Sequence, residues 1–243
     1  MDASKEHEPQ SRHTLFPGIA AHLEALTTTF EKIEEPYRSA GKKLADWIVV
    51  NYRAGQLLPV VVVCTGNSRR SMLGAMMGNA AAAYHGLPQV RFFSAGTTPS
   101  AFNPRTIAAL NAVGFEVESS GDEAPRGSPE LPNPRYRVRW GTGEGQGLVE
   151  FSKALGDAAL PASGFAAVMV CDEADAGCPV VPGAACRISM PLPDPKAADD
   201  TPEEGARYAA TRDVLGRLML AVLTESRRRT EERSGTNDPI GRA

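Results

Sequence analysis

Apolar positions in this chain change their spacing from one stretch to the next, and the changes mark the elements. From about Phe16 to Arg53 they recur at three and four, as in Leu44, Trp47, Ile48 and Tyr52, which predicts helix interrupted at Pro36. After Gly55 the alternation disappears. "LLPVVVVC" is short and continuously apolar, the pattern of a strand buried on both faces. "SMLGAMMGNAAAAYHG" has helical composition and stops at Gly86, "QVRFFSAG" reads as a second strand, and "NPRTIAALNAVGFEVE" as a helix with a glycine stop leading to a short strand. Strands alternating with helices predict an α/β domain on a parallel sheet with right-handed crossovers.

Residues 119–135 are rich in Gly, Pro and Ser and read as loop, after which "YRVRW", the turn "GTGEGQG" and "LVEFSK" read as a β-hairpin. The G-x-G-x-G of that turn opens no helix, so it is a flexible turn and not a dinucleotide fingerprint. "FAAVMVC" is another buried strand ending in a cysteine, and residues 201–224 form a closing helix with Thr201 at the N-cap and Pro202 at the first position. The boundaries that follow are a disordered N-terminus (1–15), a helical extension (16–57), an α/β domain (58–224) carrying an insertion (119–161), and a flexible charged tail (225–243).

The 243 residues, 42% of them hydrophobic, suffice for one sizeable core, and a net charge of −3 gives no argument for nucleic acid or an anionic membrane. No apolar run approaches the ~20 residues that span a bilayer. The opening "MDASKEHEPQSRH" lacks an apolar signal core, so no secretion is predicted and a cytoplasmic setting is expected. In that setting Cys64, Cys171, Cys178 and Cys186 are expected to be catalytic, redox-active or simply buried, not structural disulfides.

The chemistry concentrates in "VVVVCTGNSRRSMLGAMM". A strand ending in Cys64, a short loop with Gly66 and Asn67, and a helix starting near Ser71 bring backbone N–H groups together at a helix N-terminus. Such a cradle (Thr65, Gly66, Asn67, Ser68, Arg69, Arg70, Ser71) favours a phosphate-like anion and a thiolate. Arg70, six positions after Cys64, can fold its planar fork of donors over the same anion, and the Ser71 hydroxyl is within reach of the thiolate. A stabilised thiolate aimed at a caged oxyanion is a nucleophile for phosphorus or arsenic. Cys-x5-Arg alone is common by chance; the flanking strand, Gly-Asn, Arg-Ser and helix give it weight.

At these residues the chain resembles the low-molecular-weight protein tyrosine phosphatase family, which includes the thioredoxin-coupled arsenate reductases. The family loop V-C-x-G-N-x-C-R-S is matched by "VCTGNSRRS" at every fixed position but one. "FFSAGTTPSAFNPRTIAALNAVGFEVE" and "PLPDPKAADDTPEE" resemble later family segments. The resemblance spans roughly residues 58–118 and 162–224. It implies a three-layer α/β/α fold around a central parallel sheet, Ser94 bracing the loop through Asn67, and Asp194 as the general acid on the leaving oxygen. By composition alone, "PDP" is an ordinary turn. The family often holds a potassium ion near this loop with help from a Glu; Ala75 stands in that place, so no metal site and no tightly bound cofactor are expected.

The departure is Arg69, where many members carry a second loop cysteine, so no disulfide can close within the loop. In the arsenate reductases of this family a segment like "CDEADAGC" holds two relay cysteines. The resemblance implies that Cys171 releases arsenite, that Cys178 captures Cys171, and that a thioredoxin-like protein reduces the pair. A seven-residue spacing on a helix puts Cys171 and Cys178 about 10.5 Å apart along the axis, whereas a disulfide needs Cα atoms within about 7 Å. A helical segment must therefore unwind to oxidise, with Ala176-Gly177 the place to yield. The plain alternative is two buried thiols, and Cys186 is taken as structural. Three functions stand open: arsenate reductase; phosphatase acting through a phosphocysteine; and a non-catalytic phosphate-binding module. No aromatic residue lies beside "DPKAADD" to grip phosphotyrosine, although Tyr136 or Trp140 of the hairpin could supply one.

Overall fold

Four consecutive valines leave a strand no polar face, so it must be flanked on both edges and covered on both sides. In the computed structural model, which describes residues 10–127, 130–178 and 180–236, these residues form β1 (Leu58–Cys64), buried throughout. It pairs in parallel with β2 (Val90–Gly96) on one edge and β6 (Phe165–Met169) on the other, and β7 (Ala184–Ser189) completes a four-stranded parallel sheet of order β2-β1-β6-β7. Helices cover it in a three-layer α/β/α arrangement, as the resemblance implies.

Helix α4 (Arg70–Tyr84) follows the cysteine loop, and all of it is buried. Its small residues explain how. A Cβ at Gly78 would lie 2.5 Å from the Phe92 ring and one at Gly74 3.0 Å from Val62, so glycine lets the helix settle directly on the sheet. Asn79 caps the outer edge of β2: its Nδ2 donates to Phe92 O (2.8 Å) and its Oδ1 accepts Phe92 N–H (3.0 Å). The outer side of α4 packs on α7 (Glu204–Thr236), which also carries α2 (Pro17–Thr27) and α3 (Tyr37–Asn51) of the N-terminal region.

The strand after α5 (Pro104–Asn111) does not join the parallel sheet as expected. "EVESSGDE" is polar almost throughout and cannot be buried on both faces. As β3 (Glu116–Glu123) it instead pairs with β4 (Pro134–Arg139), which pairs with β5 (Gly147–Glu150), so the predicted hairpin becomes part of a three-stranded antiparallel sheet. The loop expected from 119 starts only after Glu123.

Both predicted termini are also more ordered than their charge suggests. Residues 1–9 and 237–243 lie outside the described residues. Within 10–15, however, α1 (Gln10–His13) docks Ser11 Oγ on Ala83 O (2.7 Å), and buried Leu15 bridges Gly141. The tail predicted from 225 is helix to Thr236, because its charges pair along one turn (Arg227–Glu231, Arg228–Glu225) and across to α3 (Arg229–Asp46).

Candidate active site

The loop from Cys64 to Arg70 leaves the C-terminal edge of β1, where open α/β sheets hold their ligands. Its carbonyls are tied outward to one neighbouring segment. Cys64 O accepts from Thr97 N–H (3.1 Å), Thr65 O from Thr98 (2.8 Å), Gly66 O from Ser100 (3.0 Å) and Ser68 O from Asn103 (3.2 Å). That leaves the N–H groups of residues 66–70 without a protein acceptor among the described residues, the arrangement of an anion nest.

Asn67 and Ser94, expected to brace the loop, are hydrogen-bonded to each other. Asn67, fully buried and at φ 40°, donates from Nδ2 to Ser94 Oγ (2.8 Å) and to Ser71 Oγ (2.9 Å), and Ser71 Oγ lies 3.1 Å from Cys64 Sγ. Besides accepting from Asn67, the Ser71 hydroxyl has Cys64 Sγ as the acceptor within reach of its hydrogen. The strand-end Gly96 touches this loop: a Cβ there would lie 2.6 Å from Thr65 O and 2.8 Å from Asn67 N.

Arg70, 6% exposed, donates from Nη1 to Leu192 O (2.8 Å) and from Nη2 to Asp194 Oδ2 (2.8 Å), with Glu173 3.9 Å away. Its Nε is buried with no partner among the described residues, a donor of the kind an oxyanion satisfies. Asp194 caps the 3-10 turn Pro195–Ala198 through Lys196 N–H (3.0 Å) and so faces the loop from the sheet's far half.

Arg69 departs from the predicted cradle. Its guanidinium turns away to Tyr208 Oη (2.8 Å) and Asp199 (3.5 Å), and Tyr208 Oη donates to Asp199 Oδ1 (2.8 Å). Burial first, then the hydrogen bond to Asp199, push the Tyr208 phenol up to about 12. Arg69 thus ties the cysteine loop to the turn that carries Asp194, leaving only its backbone for an anion.

Cys171, two residues past the end of β6, lies against the loop, its Sγ accepting Thr65 N–H at 3.2 Å beside the Thr65 hydroxyl at 3.4 Å. Burial pushes this thiol above its ordinary range, against the lowering effects of Thr65, the Ala174 backbone and Arg70. Cys171 and Cys178 flank α6 (Asp172–Gly177), and Cys178, half-buried, donates to Val180 O at 3.3 Å. All four cysteines are free thiols, and Cys186 sits half-buried on β7. Among the described residues no group of three or more His, Cys, Asp or Glu is placed to hold a metal, and no helix is long and apolar enough to cross a membrane.

Residues 59–126, which contain the loop, its brace and its carbonyl ties, match the model of the low molecular weight phosphotyrosine protein phosphatases. By this match the Cys64 segment is similar to that family. No curated protein sequence matches the chain. A low-molecular-weight phosphotyrosine phosphatase from Vibrio cholerae O395 is similar at 16% identity and TM-score 0.42, over 75% of this chain and 99% of that one. The Erwinia amylovora tyrosine phosphatase matches at 16% and 0.40, over 72% and 95%. A thioredoxin-dependent arsenate reductase from Corynebacterium glutamicum matches at 15% and 0.34, over 90% and 83%.

Around this segment stand residues that sequence reasoning missed. From the insertion, Ser152 Oγ donates to Gly66 O (3.1 Å) and Lys153 N–H to Asn67 Oδ1 (2.7 Å), while Asn133 holds Ser152 in place through both its N–H and its C=O. Nothing in the polar run after "LVEF" marks these as loop supports. Tyr37 of α3 is the second omission. It lines a cavity of about 250 Å³ together with Ile33, Leu192 and Pro193, the residues leading into Asp194. Of the aromatics predicted to wall the site, Trp140 is 1% exposed and belongs to the core, and Tyr136 packs edge-on against Phe102.

Proposed function

We propose that this chain is a thiol-dependent oxyanion enzyme of the arsenate reductase kind. The observation that carries the reading is Cys171 Sγ held at 3.2 Å from Thr65 N–H, within the loop of the nucleophile. Cys64 thiolate attacks As(V); an As–S bond forms, and an arsenate oxygen leaves as water with the proton of Asp194. That proton and the Arg70–Asp194 ion pair exclude each other, so the incoming oxyanion takes over Arg70 and frees the carboxyl to act as acid. Cys171 then attacks Cys64 Sγ, the As–S electron pair stays on arsenic, and arsenite leaves. Cys178 attacks Cys171 in turn, which frees Cys64, and a thioredoxin-like dithiol reduces the Cys171–Cys178 disulfide. Because α6 separates that pair, it opens for the last exchange.

A second reading is phosphomonoester hydrolysis through a phosphocysteine. The raised thiol of Cys171 and the folded α6 favour it, and Tyr37 lines a cavity with Leu192 and Pro193, the two residues before Asp194 in the chain. The test is turnover of arsenate with thioredoxin, thioredoxin reductase and NADPH, beside turnover of an aryl phosphate, by wild type, Cys64→Ser, Cys171→Ser and Cys178→Ser. Loss of arsenate reduction in all three variants supports the relay. Aryl phosphate hydrolysis abolished only by Cys64→Ser makes the protein a phosphatase. Inertness of the wild type towards both oxyanions leaves a phosphate-binding module.

A further inference from the structure

We propose that Lys153, supplied by the insertion, is a positioning residue for the nucleophile, setting the direction of the hydrogen bonds that end on Cys64. The inference rests on reading Cys64 as the nucleophile.

Lys153 and Glu150 form an ion pair whose side chains are 5% and 2% exposed. The ammonium also reaches Ser94 O and Ser94 Oγ, both at 3.4 Å, whereas Glu150 Oε1 takes Phe151 N–H (3.0 Å). The positive end of the pair therefore adjoins the brace.

Donor accounting then runs in one direction. Ser94 Oγ accepts from Lys153 Nζ and from Asn67 Nδ2, so its own hydrogen goes to Met72 Sδ (3.3 Å). Lys153 N–H occupies Asn67 Oδ1, which fixes the amide with Nδ2 towards Ser71. Ser71 Oγ accepts there, and Cys64 Sγ, 3.1 Å away, is the acceptor in reach of its hydrogen. Both the backbone and the ammonium of one residue thus orient the donors that end on Cys64 Sγ. Replacing both members of the pair together avoids stranding a single buried charge.

The experiment is alkylation of Cys64 by iodoacetamide, followed on the Cys64 peptide by mass spectrometry across pH, in Glu150→Gln/Lys153→Met and in Ser94→Ala. The other charged or titratable groups about the loop (Arg70, Asp194, Glu173, Cys171) are untouched in both variants. In the folded double variant the rate at pH 7 falls about tenfold and its profile moves to higher pH, a shift that mere loss of packing does not produce. A folded double variant alkylated at the wild-type rate across pH overturns the proposal. If the double variant does not fold, Ser94→Ala decides, since it cuts the ammonium from Asn67 and leaves the pair intact. A fall of about threefold with the same displacement supports the proposal, and an unchanged profile overturns it. Alkylation does not depend on turnover. A protein inert to both oxyanions that shows the shift overturns the proposed reaction alone, and turnover with an unshifted variant overturns the positioning role alone.

Discussion

Replacing Asn67 by alanine takes out the joint of the site. The buried amide makes three hydrogen bonds of 2.7 to 2.9 Å, to Lys153 N–H, Ser94 and Ser71, from a backbone at φ 40°. Alanine strands the buried Lys153 N–H, at about 1–3 kcal/mol. It also places an ordinary Cβ in the left-handed region, where Asn is tolerated, at about 1–2 kcal/mol. The hydroxyls of Ser71 and Ser94 can turn to other partners, so they add little, and the total is about 3 kcal/mol. For a chain of this size that lowers Tm by about 6–12 °C. Thermal unfolding followed by circular dichroism reads the loss, and iodoacetamide reads Cys64. Asn67→Gly separates the two contributions: it relieves the backbone and regains about 1 kcal/mol, but thiol reactivity stays low because Ser71 is no longer oriented. An alanine variant that melts within about 2 °C of wild type and alkylates Cys64 at the wild-type rate refutes this account of the loop.

Gly96→Ala drives a methyl group into Thr65 O and Asn67 N; overpacking against backbone costs about 1–3 kcal/mol, and the displaced loop loses most of its turnover in the assays above. Tyr208→Phe removes the hydroxyl between Arg69 and Asp199; urea unfolding should show a loss of about 1–2 kcal/mol, and a stability equal to wild type counts against that link. Stability also falls in mild acid through His85. Ring burial, then the charges of Arg227 and Arg12, hold its pKa at about 4 against an ordinary 6.5. The unfolded chain therefore binds a proton first, and the contribution, present above 6.5, is lost as pH falls towards 4. Between pH 7 and 5 that amounts to about 1–2 kcal/mol once solvent screening is allowed for, and urea melts of His85→Gln should show a shallower loss over that range.

Cys64, Arg70 and the Ser94 brace were legible because a buried strand, a glycine-containing turn and a helix start leave a chain few ways to arrange its backbone amides. The tilt of a long side chain is not so constrained. Arg69 and Arg70 are neighbours with identical side chains, yet Arg70 turns to Asp194 and Arg69 to Tyr208 and Asp199. The misplaced β3 has a similar cause: its length and position suit a parallel strand, but its polar residues exclude it from a sheet buried on both faces. Support from Ser152 and Lys153 was invisible because both act across the fold, 86 residues from Gly66 and from Asn67 respectively.

That separation has a consequence for the newly made chain. Asn67 waits for the backbone of residue 153, 86 residues later, which at synthesis rates of ~5–20 residues per second is a delay of roughly 4 to 17 s. Through that interval the emerging polypeptide carries its cysteine loop without the hydrogen bond that holds the Asn67 amide. Translation itself thus times the completion of this contact.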